Sequence, residues 1–156
     1  MTKSQMKEQW AQFRKMLEAT RRIVDQFPED KLDFRPTPLV RSVAELVTHN
    51  YHFLSEAVNS VLAGRHVPTV EPRISNKAML MKWVDLQVAA ADEGIHRITD
   101  AQLVSRIRIL GEDLAGWQLL DMVYQEHLHH RGQLTLYLRM QGIVPVSVYN
   151  HGAQNG

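Results

Sequence analysis

A glutamate and three histidines lie close together in the segment EHLHHR, at Glu126, His127, His129 and His130. Because each helical residue turns by about 100°, Glu126 and His130 would lie only about 40° apart on one face, one turn from each other. A carboxylate and an imidazole at this spacing can bind one metal ion. From spacing alone, two interpretations stay open: a metal centre, or surface and hydrogen-bonded core histidines with Glu126 paired to a basic neighbour.

One helix supplies two ligands comfortably, so a third ligand must come from another part of the chain. His49 is the best placed, because it lies at the edge of the apolar face of an earlier predicted helix. His66 and His151 fall in predicted loops, and His96 falls where the third predicted helix weakens. His49 is therefore the strongest candidate for a third ligand beside Glu126 and His130.

A dinuclear site is a less favoured alternative. Carboxylate-bridged di-iron bundles use Glu-x-x-His on two helices and one glutamate from each of the other two. The pairs Glu93–His96 and Glu126–His129 fit this spacing. However, the two pairs would lie on consecutive helices, and Gly94 lies inside the first pair near a predicted helix end.

Four amphipathic helices are expected to position these residues. Apolar residues recur at three- and four-residue steps, and proline, glycine and capping residues mark the helix ends. The predicted helices cover about residues 2–27, 42–63, 76–100 and 114–142. Residues 101–113 fit either a short extended segment or a loop. We predict an all-α protein, a four-helix bundle with long connections, as one domain over residues 1–156 with an extended tail from about residue 143.

Composition narrows the partners. The 156 residues contain 18 Lys and Arg against 17 Asp and Glu, so charge gives no reason to expect nucleic acid or an anionic membrane. No apolar run approaches the roughly 20 residues that cross a bilayer, and the first residues lack the apolar run of a secretory signal. We expect a cytoplasmic protein. There is no cysteine, so a nucleophilic sulfur would have to arrive with a cosubstrate.

Two segments resemble a known family. HLHHRGQLTLYLRMQGIVP is similar to the His-His-Arg-Gly-Gln motif on the last helix of the DinB-like (YfiT-type) bundle proteins, and RSVAELVTHN resembles their second-helix motif. The resemblance implies a mononuclear divalent-metal site made of one histidine of the second helix and a His-x-x-x-His pair on the fourth. It also implies a homodimer, and transfer or isomerisation chemistry with low-molecular-weight thiols.

The resemblance carries over to two of the three ligand positions. His49 matches the second-helix ligand and His130 the second ligand of the pair, but position 126 is glutamate instead of histidine. Two histidines and one carboxylate also form a catalytic metal site. Three alternatives stay open here: Glu126 binds the metal, His127 replaces it after a helix rotation, or the site holds no metal. Zinc, nickel, iron and manganese are the candidate ions.

These residues lead to a functional hypothesis. We expect a metal-dependent enzyme that transfers a low-molecular-weight thiol, as a metal-bound thiolate, to a small electrophile, or a related hydrolase or isomerase. Gln133 lies on the same side as Glu126 and His130 and is either a hydrogen-bonding group behind the metal or a packing amide. The alternative function is a non-catalytic, stress-associated dimeric bundle that binds metal.

Overall fold

The computed structural model describes residues 1–149. Four long helices form a bundle, which confirms the predicted all-α fold. A 3-10 turn (Glu29–Lys31), a short helix and a β-hairpin connect them. The elements are α1 (Lys3–Asp25), α2 (Val43–Ala63), α3 (Lys77–Arg97), α4 (Asp100–Val104), β1 (Arg106–Ile109), β2 (Glu112–Ala115) and α5 (Gly116–Met140). The fourth predicted helix is thus α5.

Local sequence signals set the ends of α2. Ser42 accepts a hydrogen bond from the Glu45 amide at 3.3 Å, and Glu45 accepts one from the Ser42 amide at 2.8 Å. This reciprocal pair is a capping box, as a serine followed three residues later by glutamate before an apolar run predicts. Gly64 ends the helix in the left-handed conformation, at φ 64°. Most of α2 is buried, because α3 and α5 both pack against it.

Two glycines differ from expectation. α3 does not weaken at Gly94 but continues to Arg97, because the missing side chain lets α3 approach α2. A Cβ on Gly94 would overlap the Val58 side chain. Gly132 costs helix propensity, which in the sequence predicts close approach of another helix to α5. This prediction is wrong, because no atom of residues 1–149 lies within 4 Å of a Cβ placed on Gly132.

The ambiguous segment 101–113 forms α4 and most of an antiparallel hairpin. Its turn residues Leu110 and Gly111 both have positive φ, at 53° and 82°, as a two-residue hairpin turn with right-handed strand twist requires. Ile107 and Ile109 alternate with exposed arginines and are buried in the core. The hairpin therefore adds its apolar face to the bundle core.

The chain after α5 runs back towards α1. Residues 143–149 form neither helix nor strand. The Gln26 side chain donates to the Val144 carbonyl at 2.9 Å and accepts from the Val146 amide at 2.8 Å. The remainder of the predicted tail, including His151, lies outside the described residues.

Candidate metal centre

The structure brings His49 of α2 and His130 of α5 together. Their ring centroids lie 5.0 Å apart, with the ring planes at 80°. Each histidine is placed by buried apolar neighbours on its own helix: Leu46 lies one turn before His49, and Leu134 one turn after His130. Two imidazoles from helices that are distant in the sequence thus lie side by side in the fold.

Both histidines use Nδ1 for a hydrogen bond with an oxygen. His49 Nδ1 lies 2.8 Å from Glu71 Oε1, and His130 Nδ1 lies 2.9 Å from Gln133 Oε1. A carboxylate or an amide oxygen accepts, so Nδ1 is the donor, and in the neutral imidazole the lone pair is then on Nε2. This is the arrangement by which proteins orient metal-binding histidines.

His130 Nε2 is a buried nitrogen without a hydrogen-bond partner among residues 1–149. Glu126 Oε2 lies 3.3 Å from it, within ion-pair distance but not aligned as a hydrogen bond. Burial lowers the pKa of His130, and the nearby His49 and His129 add to this effect against Gln133 and Glu126. The neutral imidazole that results is the form that binds metal.

Burial alternates along the segment Glu126–His130 of α5. Only His127 and His130 are buried, while Glu126 and His129 are exposed. The Glu126 side chain is 49% accessible and can change rotamer without disturbing the core. No three His, Asp or Glu side chains among residues 1–149 already surround one point as a metal site. A three-ligand site at His49, Glu126 and His130 therefore requires these side chains to rearrange around a common point.

His127 occupies the core instead. Its Nε2 lies 2.8 Å from Thr20 Oγ1, and its ring packs edge-on against Phe13 and Tyr51. Burial lowers the pKa of His127 to about 3, with smaller contributions from Arg131 and His130. The structure therefore does not bring this alternative ligand to the histidine pair.

The residues of the dinuclear alternative are not brought together either. Glu93 and His96 are exposed on α3, while Gly94 between them faces α2. Glu126 and His129 are exposed on α5. Since side chains that share two ions must face one interior space, the structure does not support a di-iron centre.

An open cleft of about 550 Å³ lies beside His130. This volume is in the range of small-molecule sites. Arg35 in its wall is paired with Glu45 at 3.1 Å, whereas Arg41 has no carboxylate partner within residues 1–149. The Tyr137 hydroxyl donates to the Arg41 carbonyl at 3.0 Å and fixes the backbone there. The remaining lining is Pro38, Leu39, Val40, Leu46, His129 and Gln133.

Sequence reasoning missed Glu71. This residue lies in a loop between two prolines, and no periodic pattern connects it with His49, which is 22 positions earlier. Gln133, by contrast, contacts His130 as one of the two roles considered for it requires.

A bundle of four long helices that presents paired histidines from its second and last long helices defines the class of protein. The profile of the DinB superfamily matches residues 12–134. The chain belongs to the DinB superfamily.

Individual relatives have the same fold. The chain is 22% identical over 136 residues to the uncharacterized protein YjoA of Bacillus subtilis, covering 83% of this chain and 86% of YjoA. The crystal structure of YjoA, a DinB-like protein, superposes with a TM-score of 0.73 over 86% of this chain and 91% of YjoA. A DinB-like protein from Bacillus cereus superposes with a TM-score of 0.70 at 19% identity, over 92% and 95% of the two chains.

A second relative from Bacillus subtilis matches a shorter part of the chain. YrdA of Bacillus subtilis, also uncharacterized, is 35% identical over 51 residues, which are 33% of this chain and 30% of YrdA.

Among the described residues, no helix has the length and apolar character needed to span a bilayer.

Proposed function

We propose that this chain is a metal-dependent enzyme that transfers a low-molecular-weight thiol to a small electrophile. His49, Glu126 and His130 would hold one divalent ion. The observation that carries the proposal is the state of the two imidazoles: each Nδ1 is engaged by an oxygen, and the buried Nε2 of His130 has no hydrogen-bond partner within residues 1–149. Two histidines and a carboxylate match the donor set of catalytic metal sites.

A divalent ion bound there would act as a Lewis acid that lowers the pKa of a thiol. The chain itself supplies orientation. Glu71 and Gln133 hold the imidazoles, and the Glu126 carboxylate reduces the net positive charge of the site. In the overall reaction an S–C bond forms, the leaving group departs with its electron pair, and the thiol proton passes to solvent.

The cleft beside His130 is where the cosubstrate would bind. Arg35 is paired with Glu45, whereas Arg41, which has no carboxylate partner within residues 1–149, adds a positive charge to the wall. An ion held by a single carboxylate would also leave the centre net positive. Both features favour a thiol that carries a carboxylate, which a guanidinium can bind through two hydrogen bonds.

The metal ligands are tested by elemental analysis of protein purified without a histidine tag. We expect about one divalent ion per chain, the stoichiometry of a mononuclear site, and its loss in His49→Ala and His130→Ala. His96→Ala, which removes an exposed histidine on α3, should keep the metal. Retention of the metal in both ligand variants would refute the assignment.

Turnover is tested by loss of free thiol from a panel of cellular thiols mixed with monochlorobimane. A metal-dependent rate supports the transferase. If no thiol in a broad panel gives such a rate while metal still binds, the non-catalytic metal-binding bundle is the better description.

A homodimer is also part of the proposal. Leu136 and Met140 on the outer side of α5 are 55% and 53% exposed, and Tyr149 nearby in the sequence is 84% exposed. These exposed apolar side chains are the surface on which we propose that two copies of the chain meet. Sedimentation of the wild type and of Leu136→Glu would test it, with a dimer expected only for the wild type.

A further inference from the structure

The loop after α2 folds back along that helix. It contacts one face of α2 once in each of four successive turns, at His49, His52, Glu56 and Ser60. Ser60 Oγ accepts from the Val67 amide at 3.0 Å, and His52 Nδ1 lies 2.9 Å from Thr69 Oγ1. The last contact of this series is the one between Glu71 and His49.

Glu56 makes the most contacts in this series. Its Oε2 accepts from the Thr69 amide at 2.8 Å and from the Thr69 hydroxyl at 3.1 Å, and its Oε1 lies 3.0 Å from His66 Nε2. His52 Nε2 lies 3.3 Å from the same carboxylate. A carboxylate that satisfies a backbone amide and two side chains fixes both the position and the direction of the loop at Thr69.

The Glu56 carboxylate is buried, so its loss would leave its hydrogen-bond partners without an acceptor. The Glu56 side chain is only 11% exposed. Burial by itself would raise the pKa of Glu56, but the hydrogen bonds from His66 and Thr69 outweigh it, and the pKa is lowered. The loop therefore loses a charged acceptor, not a surface contact, when Glu56 is replaced.

We propose that Glu56 is a positioning residue for the metal centre, which acts by holding Glu71 against His49 Nδ1. Thr69 is only two residues before Glu71, so a loop fixed at Thr69 leaves little freedom for the carboxylate that orients His49. This inference rests on the proposed function, since it assigns Glu56 a role in the affinity of that same site.

A double-mutant cycle separates this role from a general effect on stability. The probe is Zn²⁺ added to metal-free protein, with Glu56→Gln, Glu71→Gln and the double variant. We expect each single variant to bind Zn²⁺ about tenfold more weakly, the scale of outer hydrogen-bond partners of metal ligands. The double variant should be no weaker than Glu71→Gln alone, because Glu56 acts through Glu71. Additive losses in the double variant would overturn the proposal.

Glu93→Gln is the matched control, because it makes the same charge change at an exposed position on α3. It should bind Zn²⁺ as the wild type does. A loss equal to that of Glu56→Gln would mean that the effect is one of net charge and would overturn the proposal.

A metal-free measurement keeps the inference independent of turnover and of metal binding. In ¹⁵N NMR spectra of metal-free protein, the His49 Nδ1 proton should exchange with solvent at least tenfold faster in Glu56→Gln than in the wild type or Glu93→Gln. Unchanged exchange would refute the role of Glu56. If exchange accelerates but no variant binds metal, the proposed function fails and the positioning of His49 by Glu56 stands.

Discussion

His130 Nδ1 lies 2.9 Å from the Oε1 atom of Gln133, an amide oxygen on the same helix that accepts its proton. A contact three residues along one helix is set by α5 itself and does not depend on how the bundle packs. It therefore fixes which nitrogen of His130 is available to a metal, while packing of α2 against α5 decides whether His49 is within reach.

Replacing Gln133 tests this relationship. Gln133→Ala leaves the Nδ1 proton of His130 without its acceptor, so Zn²⁺ affinity should fall about 10- to 100-fold. Calorimetric titration of metal-free protein measures it. Thr135→Ala removes a hydroxyl whose hydrogen bond, among residues 1–149, goes to the Gly132 carbonyl, and this variant should bind Zn²⁺ as the wild type does. Equal affinities in Gln133→Ala and Thr135→Ala would contradict the role given to Gln133.

The buried His127 predicts a loss of stability in acid. Its pKa is about 3 in the folded protein because of burial, whereas in the unfolded chain it is about 6.5. The unfolded state then binds the extra proton, so the free energy of unfolding should fall as pH drops from about 6.5 towards 3, ultimately by several kcal/mol. Urea denaturation of metal-free protein at several pH values measures it.

The variant His127→Gln isolates this contribution, since it keeps a polar side chain near Thr20 but cannot take up the proton. Its free energy of unfolding should depend less on pH over the same range. Parallel pH profiles for the two proteins would show that His127 is not the group responsible.

Two glycine substitutions should have opposite signs. Gly94→Ala places a methyl group onto Val58 at the α2–α3 contact and should destabilise by about 1–3 kcal/mol, as overpacking does. Gly132→Ala meets no atom of the described chain, residues 1–149, within 4 Å and should stabilise by up to about 1 kcal/mol through helix propensity. Thermal or urea unfolding of both variants decides it, and a shift of the same sign in both would be inconsistent with the packing described.

Arg41 should discriminate between thiols. Arg41→Gln is expected to raise the KM for mercaptosuccinate about tenfold or more, since one charge-assisted hydrogen-bonded pair is lost. The KM for the neutral 2-mercaptoethanol should change little. Arg108→Gln makes the same charge change on the exposed face of the hairpin and serves as control. An equal rise for both thiols would argue against a carboxylate contact at Arg41.

Much of the bundle was predictable because its signals are local. The Ser42–Glu45 capping box, Gly64 and the prolines mark helix ends through bonds within a few residues. The nearness of Glu126 and His130 follows from helical geometry alone. The meeting of His49 with His130 was a prediction from the edge position of His49, and the structure shows the two rings in contact.

What the sequence missed depends on contacts between distant segments. The apolar periodicity of α2 predicts that His52 points towards solvent, but its side chain is only 14% exposed because the loop that carries Thr69 covers it. Glu71 and Glu56 acquire their roles from the same loop. Periodicity describes one helix at a time, so it cannot show how an irregular segment packs against that helix.

The two histidines that face each other belong to helices from opposite halves of the chain, and unfolding separates them. An ion that binds only the folded protein would link α2 to α5. At a free ion concentration one hundred times the dissociation constant, it would raise the free energy of unfolding by about 2.7 kcal/mol. Cells deprived of that ion would then degrade the protein faster and would also lose the proposed metal-dependent activity. The abundance of the protein would therefore follow the metal supply.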